Sequence, residues 1–164
     1  RYNEEIARYL KKYIPGFENA YFDRVAPFMG IRETRRLVGE YVLTEQDIFD
    51  CARFDDSIAV SAYPVDLHHP VGGDCTLMWC PDCHDIPYRS LLPKNIDSLI
   101  VAGRCISATH LALASVRVMG PAMATGEAAG KAAALSVKHN VQLRDLDVAA
   151  LQAALREEGV YLRD

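Results

Sequence analysis

The chain has 164 residues, 50% of them apolar and 24% charged, and carries a net charge of −4. That is enough for one packed domain, and an acidic balance gives no support for nucleic-acid or membrane-surface binding. The longest apolar runs fall far short of a membrane span, no signal peptide is visible, and the odd count of five cysteines argues for a reducing, cytoplasmic setting or a metal site over a disulfide scaffold. The chain begins at Arg1 rather than Met, so it is expected to be an excerpt or a processed product.

Residues 3–14 predict an amphipathic helix. Asn3 can cap it, Glu4 and Glu5 suit its first turn, and Ile6, Tyr9, Leu10, Tyr13 and Ile14 form the apolar stripe. Pro15-Gly16 stops it, and a short helix ending before Pro27 is expected next. Residues 31–43 alternate enough to predict a strand with Arg32, Thr34, Arg36 and Val38 on one face and Ile31, Glu33, Arg35 and Leu37 on the other. Arg32, Arg35 and Arg36 are either a solvated face balanced by Glu33 or, for one or two of them, anchors for an anionic substrate, because guanidinium forks match carboxylates. Gly39 signals a bulge or a close approach, and Thr44 with Asp47 predicts a capping box opening a short helix.

Residues 57–63 predict a strand, followed by a Pro- and Gly-rich loop over 64–74 that carries Asp66, His68 and His69. Those histidines are hydrogen-bonded surface groups, acid–base and substrate contacts, or, as a third alternative, metal ligands. The cysteine cluster Cys75-x4-Cys80-x2-Cys83-His84 is expected to hold thiols without a metal. The alternatives are a zinc-stabilised, non-catalytic domain on Cys75, Cys80, Cys83 and His84, or an iron–sulfur loop with Cys105 as a fourth ligand. A proline-fixed extended segment over 86–93 leads to Leu99–Ala102, which reads as a strand buried on both faces. Gly103 turns the chain into a polar loop, and a helix is expected from Pro121, the first helical position, to a stop at Asn140. Ala122, Gly126, Ala129, Gly130 and Ala133 leave one face of that helix almost without side chains. Its first turn is a potential anion site through its free N–H groups and dipole, and its later turns suit tight packing. Asp147 can cap a last helix over 148–158, with Val148, Leu151 and Leu155 on one face and Gly159 ending it.

Taken together, IRETRRLVGEYVLTEQDI, IPYRSLLPKNIDSLIVAGRCISATH, SVRVMGPAMATGEAAGKAAALS and LQAALREEGVYL resemble the C-terminal half of FAD-dependent oxidoreductases in the glutathione-reductase-like flavoprotein group. The resemblance implies a mixed α/β fold. Residues 1–88 would be a substrate or cap portion with a helical N-terminus, 89–140 the returning strand and helix of the FAD-binding domain, and 141–164 a C-terminal helix and tail. It implies hydride transfer to or from flavin N5. It further implies flavin contacts from Ala102, Gly103, Arg104, Ser115, Arg117, Gly120, Ala122, Met123 and Gly126. Arg32, Arg35, Arg36, His68, His69 and His110 are then the substrate-side candidates, orienting an anionic small molecule or moving a proton. Arg104 stands where many relatives have an acidic residue. No Gly-x-Gly-x-x-Gly occurs in the chain, so an N-terminal half is expected to hold the ADP end of FAD, and the chain alone is expected to be inactive.

Overall fold

The computed structural model describes residues 2–28, 30–68 and 75–163, in two units, Arg1–Ile31 and Arg32–Asp164. In the first unit, α1 spans Tyr2–Tyr13, with Glu4 and Glu5 in the first turn and Lys11 and Lys12 in the last, each sign at the helix end whose dipole it complements. Its apolar stripe stays open: Ile6, Tyr9, Tyr13 and Ile14 are exposed and Leu10 is half-buried. The helix expected before Pro27 is absent among the described residues. Gly16, at φ +93, reverses the chain, and Phe17 and Ala20 close isolated turns by donating to the Ile14 and Phe17 carbonyls. The stretch left before Pro27 is too short to repay the cost of a helix nucleus.

The second unit begins at Arg32, inside the segment expected to be a strand. Residues 31–43 form no strand ladder. The segment is extended and laced between two partners, Leu37 N–H donating to Cys105 O, Glu40 N–H to Leu92 O and Leu43 N–H to Ser107 O. Only isolated bridges result, Gly39 with Pro93 and Leu43 with Ala108, because Pro93 has no N–H to continue a ladder. The expected close approach at Gly39 is present: its N–H donates to Ser107 Oγ at 3.0 Å, and a Cβ there would stand 2.7 Å from Ser107 Cβ. The expected capping box is also present. Thr44 and Asp47 exchange side-chain and main-chain bonds and open α2, Glu45–Phe49.

Two small antiparallel sheets follow. β1 (Ser57–Ser61) pairs with a later strand, β4 (His84–Pro87). Between them in sequence, β2 (Val65–His68) pairs with β3 (Cys75–Met78), in the register Val65–Met78, Asp66–Leu77, Leu67–Thr76 and His68–Cys75. The expected loop over 64–74 is therefore a strand in its first half, since the alternating Val65-Asp66-Leu67-His68 outweighs the turn-forming residues that flank it. The extended segment expected over 86–93 is β4 followed by a 3₁₀ turn over Tyr88–Leu91, anchored by the Tyr88 hydroxyl donating to Leu143 O at 2.9 Å.

Leu99–Ala102 is not the buried strand expected of it. It is extended but lies in no sheet, Leu99 is exposed, and Ile100, Val101 and Ala102 are half-buried. A strand exists only where a partner strand lies alongside to share a ladder of hydrogen bonds, and among the described residues Val101 N–H donating to Leu91 O is what holds this segment. The expected polar loop after the turn is instead α3, His110–Val116, because Thr109 Oγ1 accepts the Ala112 N–H as a cap. Then α4, Met119–His139, begins two residues before Pro121 and ends at Asn140 in the left-handed conformation, φ +54. α5, Val148–Glu157, is capped as expected, by Asp147 Oδ1 accepting from Ala149 and Ala150. The core gathers Leu43, Ile48, Ile58, Ile86, Leu91, Ile106, Leu113, Leu151 and Leu155. Thr125, Ala128, Ala129 and Ala132 form the buried stripe of α4, which packs along β1 and α5.

Candidate functional site

The opposite face of α4 is bare and open. Met119 is 79% exposed and Met123 73%, and a Cβ at Gly120, Gly126 or Gly130 would meet nothing within 4 Å. The later glycines therefore pack against none of the described residues, and the packing expected of that face falls to the alanines of the buried stripe. At the start of the helix, Val118 offers no side-chain cap and no acid lies in the first turn, so the N-terminal donors and the positive end of the dipole stay available. Beside this start lies the Gly103 turn. Gly103 adopts φ +70 and a Cβ would reach 3.9 Å from Ala122 Cβ; its N–H donates to Thr125 Oγ1 at 3.0 Å. Turn and helix start are thus tied by one side chain, which itself bonds back to Pro121 O.

A cleft of about 290 Å³ opens at this place, lined by Arg32, Tyr63, Asp66, Arg104, Arg117, Val118 and Met119. It draws on both the 1–88 and the 89–140 segments. Arg117 is 9% exposed, and its guanidinium donates to Asp66 O at 2.7 Å while standing 4.0 Å from the Asp66 carboxylate. Arg104 Nε donates to Arg117 O at 3.3 Å. Three guanidinium groups against one carboxylate leave the lining net positive. A positive lining attracts anions, and guanidinium groups match planar carboxylates in a fixed fork.

Ser115 is fully buried and donates its hydroxyl to Tyr63 O at 2.6 Å. It braces the cleft wall and presents no surface to a ligand. Ala102 and Ala122 are half-buried beside the turn, and Gly120, Met123 and Gly126 lie on the open face of α4.

The substrate-side candidates divide. Arg32 lines the cleft, and Arg35 is exposed outside its lining. Arg36 donates to Glu33 Oε1 at 2.6 Å, and the other oxygen of Glu33 stands 2.7 Å from His110 Nδ1. Glu33 and Arg36 were expected on opposite faces of a strand; the irregular backbone lets them meet. Holding Nδ1 fixes the imidazole orientation and turns Nε2 of the 63%-exposed His110 outward, the geometry of an oriented base. His68 lies on β2 beside Asp66, its Nε2 3.2 Å from the carboxylate. His69 lies outside the described residues.

Tyr63 completes these arrangements without having been singled out in the sequence, while Glu33 was expected only to balance the arginines and Asp66 only as a loop neighbour of the histidines. Asp66 carried a readable signal: as a strand, Asp-x-His puts both side chains on one face. The Glu33–His110 contact spans 77 residues and has no local signature.

The cysteine cluster does not gather as a site. Cys75 lies on β3, where its thiol donates to Asp66 Oδ1 at 2.9 Å. Cys80 stands beside Tyr63 O, and His84 is fully buried in β4. Among the described residues Cys75, Cys80, Cys83 and His84 do not converge on one point, which removes the geometry that a zinc-stabilised domain on those four would need. The Cys75 hydrogen bond is the main cause holding the Asp66 carboxyl below its ordinary pKa, assisted by His68 and Arg117, and the same bond pushes the Cys75 thiol up.

An open turn, an uncapped helix start and a cleft lined by three arginines lie together at this end of the chain. The chain belongs to the FAD dependent oxidoreductase family, whose family model matches residues 1–155. No curated protein and no solved structure matches it. FAD is the cofactor of this family, and the described residues fit it: the Gly103 turn leaves room for close main-chain approach, and the donors at the start of α4 face open space. No described helix is long and apolar enough to cross a membrane.

Proposed function

We propose that this chain supplies the isoalloxazine-facing side and the substrate cleft of an FAD-dependent oxidoreductase acting on a small anionic molecule. The observation that carries this reading is the cleft of Arg32, Arg104 and Arg117 at the uncapped start of α4. When bound, FAD supplies hydride transfer at flavin N5. Ala102, Gly103 and Arg104 would hold it at the turn, and Gly120, Ala122, Met123 and Gly126 along the open face of the helix. The N-terminal end of α4 favours negative charge at the pyrimidine edge. Arg32 and Arg117 grip the substrate anion, and Arg117 is kept in place by its bond to Asp66 O. His110, oriented by Glu33, handles a proton at Nε2. A segment carrying Gly-x-Gly-x-x-Gly holds the ADP half of FAD; support for this comes from the lack of that motif in the chain.

The test is a visible spectrum of the full-length protein, followed by titration with small carboxylates such as acetate, oxalate and benzoate. Bound flavin whose spectrum shifts on carboxylate binding is expected, with Arg117→Lys weakening that binding roughly tenfold or more because a point charge replaces a fork. Folded protein that takes up no flavin, or flavin-loaded protein in which Arg32→Ala and Arg117→Lys leave carboxylate binding unchanged, overturns the reading.

A further inference from the structure

The His68–Cys75 end of the β2–β3 ladder carries a second arrangement of donor atoms. Asp66 and His68 alternate along β2 and so share one face, and Cys75 is the residue paired directly with His68 across the ladder. Their donor atoms converge. The His68 Nε2–Asp66 carboxylate distance is 3.2 Å, Cys75 Sγ–Asp66 Oδ1 is 2.9 Å, and Cys75 Sγ–His68 Nε2 is 3.9 Å. No other His, Cys, Asp or Glu cluster of three among the described residues comes together in this way.

We infer that Asp66, His68 and Cys75 form a binding site for a zinc-class divalent cation. With metal–ligand bonds of about 2.0–2.3 Å, tetrahedral ligands stand roughly 3.3–3.7 Å apart, and the three observed separations bracket that range. One oxygen, one nitrogen and one sulfur donor select a borderline ion; magnesium and calcium require oxygen ligands throughout. Carboxylate and thiolate together carry two negative charges, which a divalent ion neutralises. This offsets the repulsion between the ion and the Arg117 guanidinium near Asp66. On binding, the Cys75 thiol gives up the proton it now shares with Asp66; that proton goes to solvent and the sulfur electron pair goes to the metal. Three protein ligands leave a fourth position for water. His68 and Cys75 are exposed, so the ion has a path in, and Arg117, bonded to Asp66 O, fixes that ligand from behind. The proposal does not rest on the flavin reading, although Asp66 also lines the arginine cleft.

Cobalt(II) titration of the chelator-treated full-length protein tests it. One equivalent is expected to bind, with the near-ultraviolet thiolate-to-cobalt absorption and the intense visible bands of a tetrahedral ion, release of about one proton, and bleaching by zinc. Cys75→Ser is expected to abolish the near-ultraviolet band, and His68→Ala or Asp66→Asn to weaken cobalt binding by about tenfold or more. The double variant Cys80→Ser/Cys83→Ser is expected to keep both. Circular dichroism confirms that each variant is folded, and Asp66→Asn serves in place of any cysteine variant that is not. A folded protein with no charge-transfer band at ~100 µM cobalt, well above the range of structural zinc sites, overturns the proposal. So does a band that survives Cys75→Ser or disappears in the Cys80/Cys83 variant. Neither result bears on flavin uptake.

Discussion

The two small sheets use the same residue types for opposite ends. β1–β4 is buried along nearly its whole length, whereas in β2–β3 only Val65 is fully buried and half of the residues are exposed. Each carries an Asp, a His and a nearby Cys. In the buried sheet, Asp85 accepts Arg163 Nε at 2.7 Å with the two side chains 3% and 7% exposed, and the guanidinium also donates to Cys83 O and Ala52 O. His84 has no partner for either ring nitrogen among the described residues. In the open sheet, Asp66, His68 and Cys75 bond to one another and remain reachable from solvent. Burial commits charged groups to holding the fold, since losing a partner there strands a charge away from water. Exposure leaves them free to exchange partners.

That contrast can be broken most strongly at Asp85. Asp85→Ala leaves the Arg163 guanidinium and the Phe54 N–H without their acceptor, and a loss of about 3–5 kcal/mol is expected in urea unfolding. A loss below about 1 kcal/mol would place the pair among ordinary surface bridges.

The next effect is acid sensitivity. Burial, seconded by the Arg163 charge, lowers the His84 pKa from 6.5 to about 4. The unfolded chain then binds a proton that the native one refuses, so stability rises with pH across that window and is lost on acidification. At ~1.4 kcal/mol per pH unit, the contribution is roughly 3 kcal/mol. His84→Leu should flatten that part of the pH profile of the urea midpoint; an unchanged profile would show that His84 is protonated in place.

Smaller still is Ser115→Ala, which removes the hydroxyl hydrogen bond to the Tyr63 carbonyl and should cost about 1 kcal/mol. It should also loosen Tyr63 in the cleft, read as weaker carboxylate binding. At the bottom of the scale, His68→Ala is expected to change stability by no more than about 0.5 kcal/mol. A loss comparable to that from Asp85→Ala would mean that the open sheet is also structural.

Local signals were legible wherever one residue decides the backbone. The Thr44/Asp47 capping box, the Asp147 cap, the stop at Asn140 and the close approach at Gly39 all follow from side chains acting within a few residues, or from the lack of one. The family resemblance also rested on contiguous motifs, and the family match agrees with it. Strand assignments fared worst. Residues 31–43 and 99–102 have strand-like composition, yet pairing depends on what lies alongside, and that is settled by residues far away in the chain.

Composition, the helix termini and the flavoprotein motifs were therefore determined by the sequence alone, because short-range hydrogen bonding and periodicity create them. The tertiary structure decided which chemistry-bearing residues meet. It brought Arg32 to Arg117, Glu33 to His110 and His68 to Cys75, and it withdrew Ser115 and His84 into the core. Spacing cannot anticipate such encounters, since burial and long-range packing, rather than proximity along the chain, fix which polar groups keep their access to solvent and to a ligand.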